Sequence, residues 1–93
     1  YQASLTPMKI LKNSAYAMTL LDELSGKCSK LILSDVVTGA ALLAASAHGG
    51  FINVGANTGL MKNIEIAQKL NEEAKMLLSQ TMKLHDSISQ LMS

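Results

Sequence analysis

A single cysteine, a single proline, no tryptophan and an aromatic share of 3% are what this chain of 93 residues most obviously lacks. Cys28 has no partner for an intrachain disulfide and no second thiol with which to share a metal, which fits a structural thiol in a reducing cytoplasm. Charge is scarce as well. Charged residues are 16% of the chain and the formal net charge is +1, without the basic stripe that grips a phosphate backbone, so nucleic acid is not an expected partner. No basic stretch leads into an apolar run at the start, so no signal peptide is read. The first residue is Tyr1 rather than an initiator methionine, which points to a fragment or a processed product. No pair of histidines has metal-ligand spacing, and no serine, histidine and acid set reads as a hydrolase.

What the chain does have is aliphatic. Hydrophobic residues make up 48% of it, almost all Ala, Leu, Ile, Val and Met, a composition that leans to helix. At this length the buried share of surface is modest, so further core is expected from neighbours. Thr6 followed by Pro7 predicts a helix start, because proline's missing N–H is unpaired at the first helical position anyway. Ile10, Leu11, Ala15, Met18 and Leu21 continue the helical spacing to about Leu24, where Ser25 and Gly26 offer a left-handed stop. A connector follows, with Leu31 to Leu33 expected to fold back onto the core, and Ser34 before Asp35 predicts the cap and acidic first turn of a second helix.

From Val36 to Met61 no residue carries a charge if His48 is neutral, long enough to raise the question of a membrane span. The run is rich in Gly, Ala, Ser and Thr, and it contains His48, Asn53 and Asn57, which hydrocarbon disfavours. A buried central helix is the better reading, with no membrane partner; Gly39, Ala40, Ala44, Ala47, Gly49 and Gly50 would admit close packing. Asn63 and Glu65 predict the start of a third helix. Its residues Ala67, Leu70, Ala74, Leu77, Thr81, Leu84, Ile88 and Leu91 alternate three and four apart in a heptad seam. The fold class expected is all-α, an antiparallel helical bundle, with a homo-oligomer formed through helix 64–92.

The segment from Ser34 to Asn63 resembles the C-terminal half of the cyclodeaminase/cyclohydrolase family. Ser34 and Asp35 match the family's opening Ser-Asp, Asn53, Val54 and Asn57 its Asn-Val-x-x-Asn signature, and Asn63 stands where many members carry Asp. Pro7 falls where members often start the preceding helix. Ala56, Thr58 and Gly59 depart from the bulky apolar residues usual around the second asparagine, and the family's Gly-rich N-terminal half has no counterpart here. The resemblance implies that residues 1–93 are the C-terminal portion of one helical domain. It also implies a cytoplasmic enzyme acting on a tetrahydrofolate-bound one-carbon unit, either a methenyltetrahydrofolate cyclohydrolase or a formiminotetrahydrofolate cyclodeaminase, with folate as substrate and no cofactor.

Both reactions move protons at nitrogen and oxygen, so a carboxylate is wanted. Asp35 is the strongest local candidate, although an acid near a helix start also interacts favourably with the dipole and needs no other purpose. His48 could transfer protons near neutrality or be a hydrogen-bonded core histidine. Asn53 and Asn57, one turn apart, could hold the edge of a pterin or finish a helix terminus. The rival to an enzyme is a non-catalytic helical assembly module, favoured by the heptad seam and the missing half.

Overall fold

Each predicted helix forms, and the first two begin earlier than their sequence signals indicate. The computed structural model describes residues 2–92, with side chains from residue 5 onward. It contains α1 (Gln2–Ser25), α2 (Lys30–Thr58) and α3 (Ile64–Gln90), and no strand among the described residues. The connections, residues 26–29 and 59–63, are too short to let sequential helices do anything but pack antiparallel. All three helices touch one another, giving a rod of 50 × 17 × 16 Å.

Two helix starts lie upstream of where the sequence places them. Thr6 and Pro7 are inside α1, not at its beginning. So near the N-terminus a proline removes only one intrahelical bond, and Pro7 is buried where α1 meets α2. For α2 the cap is Ser29, whose side chain accepts from the Ile32 N–H, and Ser34 sits within the helix donating to the Leu31 carbonyl at 3.1 Å. Ser29 is as good a capping residue as Ser34, and the earlier start lets five further residues take helical bonds. Asp35 therefore occupies the second turn. Leu31 and Ile32 do not fold back onto the core; they are 87% and 50% exposed.

Helix ends follow the same logic. α1 stops at Ser25 as expected, but Gly26 has no left-handed backbone; the turn closes through the Lys27 and Cys28 N–H groups on the Leu24 carbonyl. Asn63 caps α3 as expected, accepting from the Ile66 N–H at 3.1 Å, with Glu65 in the first turn.

The core divides into two clusters along the rod. Met8, Leu11, Ala47, Val54 and Ala74 pack together toward one end, while Met18, Val36, Ala40, Ala44 and Ile88 pack toward the other, with half-buried Cys28 against the second group. Ala67, Ala74, Thr81 and Ile88 of the heptad seam are buried, Leu70, Leu77 and Leu84 half-buried, and Leu91 is exposed. The seam is thus occupied within the chain by α1 and α2. The pattern that raised the expectation of an oligomer through helix 64–92 is accounted for by intramolecular packing.

α2 is central, but only on one side. Its buried residues, Val36, Ala40, Ala44, Ala47, Gly50, Val54 and Thr58, recur three or four apart and form one stripe. At Gly50 an added Cβ would stand 2.9 Å from the Pro7 carbonyl oxygen and 3.2 Å from the Leu11 nitrogen, so the two backbones touch where only glycine fits. Gly39 meets the Leu21 side chain at 3.3 Å on the same basis. Gly49, expected to share in this packing, has nothing within 4 Å of the place its Cβ would occupy. The opposite face of α2 carries Leu42 and Ile52, 68% and 63% exposed. By length and composition alone α2 is long and apolar enough to cross a membrane.

Candidate functional site

Helical geometry decides how the four candidate residues relate. Asp35 and Asn53 are eighteen residues apart, five turns of about 3.6, so they lie on the same meridian of α2. Asn57 lies about 40° from that line and His48 about 140° from it. Asp35, Asn53 and His48 are exposed and Asn57 is half-buried. The meridian of Asp35 and Asn53 borders the edge along which α1 runs, where Ser14, itself buried, donates to the Ile10 carbonyl at 2.8 Å and lies 3.0 Å from Ser46 Oγ.

Alignment is not convergence. At a rise of about 1.5 Å per residue, Asp35 stands about 27 Å along the axis from Asn53 and further still from Asn57. The two asparagines, one turn apart, can share a ligand; Asp35 of the same chain cannot reach the same ring system. His48 points away on the other flank. One chain brings together Asn53 and Asn57 only.

α2 ends in a polar cluster beside them. Thr58, buried, donates to Asn71 Oδ1 of α3 at 2.6 Å, and the Gly59 N–H closes the last turn onto the Gly55 carbonyl at 3.1 Å. Thr58 and Asn71 tie α2 to α3, which leaves the exposed amide of Asn53 without that duty. The sequence reading missed Asn71, whose place at the first full turn of the seam gave it no chemical signature.

A second constellation escaped the sequence entirely. On α3 the His85 Nδ1 lies 3.1 Å from Asp86 Oδ1, and Ser89 Oγ lies 3.3 Å from His85 Nε2. That is the order of contacts of an acid, a base and a nucleophile, among residues whose spacing does not read as a hydrolase set. It stands in the last turns of α3, however, where a helix presents carbonyl oxygens rather than N–H groups, so the backbone supplies no donors for an oxyanion. The contacts are those of a helix end, with His85 and Ser89 half-buried and Asp86 exposed. Among the described residues no cluster of His, Cys, Asp and Glu is arranged to hold a metal.

Two shallow depressions lie among the described residues. One, about 360 Å³, runs between α1 and α3 past Tyr16, Leu77 and Leu84; the other, about 250 Å³, lies on α3 between Ile66 and Glu73. Lys12 and Glu73 bridge at 3.0 Å between them. Neither depression includes Asp35, His48, Asn53 or Asn57.

Comparison with known proteins places the chain. A family model described as formiminotransferase-cyclodeaminase matches residues 1–76, which takes in α1, α2 and the first half of α3. No curated protein and no solved structure matches.

Proposed function

Because the chain belongs to the formiminotransferase-cyclodeaminase family, a family of folate one-carbon enzymes, we propose that it serves the same chemistry, as a methenyltetrahydrofolate cyclohydrolase or a formiminotetrahydrofolate cyclodeaminase. The observation that carries the reading is the family match across the whole of α2. In the cyclodeaminase direction folate N10 attacks the formimino carbon on N5; N10 must then lose a proton and the departing nitrogen must gain one to leave as ammonia. In the cyclohydrolase direction water adds to the methenyl bridge, loses a proton, and the ring opens to a formyl group. A single carboxylate that accepts and returns a proton suits both, and Asp35, exposed on the α2 meridian, takes that role here. Asn53 and Asn57 offer amide donors and acceptors to the pterin edge.

One observation favours the rival reading of a non-catalytic assembly module: within one chain Asp35 and the asparagines lie about 27 Å apart. The test is the near-ultraviolet absorbance of methenyltetrahydrofolate, followed with the wild-type protein and with Asp35→Asn. The expected result is turnover of methenyl- or formimino-folate that falls about 10²-fold or more in the variant. Equal turnover removes Asp35 from catalysis, and no turnover of either folate by the wild type leaves the assembly module as the better account.

A further inference from the structure

Two hydroxyls meet where α1 lies against α2, and counting their protons fixes which way each one points. Ser14, buried, stands 2.8 Å from the Ile10 carbonyl oxygen and 3.0 Å from Ser46 Oγ. A carbonyl oxygen only accepts, and each hydroxyl has a single proton to give. Both contacts are hydrogen bonds only when Ser14 donates to Ile10 and Ser46 donates to Ser14, which makes one more bond inside the protein than any other arrangement. Ser46 itself is exposed. With its proton directed inward it turns only lone pairs to the outside, so it can receive a hydrogen bond from a ligand but cannot give one.

Ser46 lies seven residues before Asn53, within about 20° of the same meridian and about 10.5 Å from it along the axis. Between them stands Gly49, with nothing within 4 Å of the place its Cβ would occupy, so the interval is open. Ile10, one turn before Ser14 and 43% exposed, borders it on the α1 side. A pterin whose pyrimidine edge meets Asn53 and whose long axis follows α2 toward Ser46 brings N5 and N10 to the hydroxyl. In the opposite direction α2 ends at Thr58.

We propose that Ser46 Oγ accepts from the N–H groups at the reacting end of the substrate, and so favours the formimino form of the folate over the methenyl form. This rests on the folate reading and narrows it. Formiminotetrahydrofolate carries an N–H at N10 and another on the formimino nitrogen, whereas the methenyl bridge joins N5 to N10 through carbon and has neither. The N–H groups of the pterin ring are the same in both. A hydroxyl that only accepts, placed beside N5 and N10, therefore gains a bond with one form and none with the other. Ser14 is a positioning residue, since without it Ser46 can rotate its proton outward.

The test compares two constants in the wild-type protein, Ser46→Ala and Ser46→Thr: KM for formiminotetrahydrofolate, and Ki for methenyltetrahydrofolate as a competitive inhibitor of the same reaction. For Ser46→Ala the expected result is a KM raised about three- to tenfold and a Ki within about twofold of wild type. Ser46→Thr keeps the hydroxyl and is expected to restore KM, and Ser14→Ala to raise it by less than Ser46→Ala does. A merely structural role would move both constants together. Equal changes in KM and Ki, no change in either, a rise that Ser46→Thr does not reverse, or a wild type that acts on the methenyl form alone overturns the assignment of Ser46 while the folate reading stands. A wild type that turns over neither folate overturns both.

Discussion

The two faces of α2 are built from similar residues and do opposite things. The inner face, Val36 through Thr58, is small and apolar and lies against two other helices; the outer face, Thr38 through Ala56, is also small and apolar and lies against none within the chain. Composition does not distinguish them. What does is the facing surface: Gly50 has the α1 backbone at 2.9 Å from its would-be Cβ, and its neighbour Gly49 has nothing within 4 Å. A small residue is a packing device only where something is close enough to need it.

That contrast can be broken at graded positions. The largest effect is expected in the core the inner face helps to form: Ile88→Ala, fully buried against α2, should lower unfolding free energy by about 2–5 kcal/mol in urea titrations. The same change at exposed Ile52 should leave the stability of a protomer within about 0.5 kcal/mol. Next comes Gly50→Ala, whose methyl group meets backbone rather than a yielding side chain; a loss of about 1–3 kcal/mol is expected. Gly49→Ala has the opposite sign, a gain approaching 1 kcal/mol, because the methyl finds open space and the helix loses a costly glycine. A midpoint for Gly49→Ala below that of the wild type would show that the outer face is not as open as its surroundings indicate. Smallest is Lys12→Ala, which removes an exposed bridge to Glu73 and should shift the midpoint by the equivalent of about 0–1 kcal/mol.

The comparison also explains which parts of the fold were legible in the residues. The α3 seam was readable because an alternation of three and four over eight positions has one geometric meaning, a stripe to be covered. What would cover it was not readable, since the same stripe serves a neighbouring helix or a neighbouring chain equally well. Asn63 was readable as a cap because nothing upstream competes with it. Ser34 was misleading because Ser29, five residues earlier, caps equally well and gains more helix. Pro7 misled because a proline marks a helix start only when nothing upstream is helical, and here α1 already runs from Gln2 and forgoes one intrahelical bond at Pro7.

For the candidate site, sequence order supplied the residues and their shared meridian, and the family match supplied the chemistry they are proposed to serve. Distance was the missing quantity. Asn53 and Asn57 were neighbours as soon as the helix was recognised, while Asp35 became remote only once α2 was seen to run unbroken from Lys30 to Thr58. A break near Gly49 and Gly50 would have allowed the chain to fold Asp35 back toward the asparagines; the continuous helix forbids it.

By itself, then, the sequence determined helix type, helix number and the residues that can face one another, because periodicity and capping are local properties of the backbone. Only the tertiary structure decided which small residues are contact points and which stripe is left open. Those depend on whether another surface lies within van der Waals reach, and no pattern along one helix specifies what lies across from it.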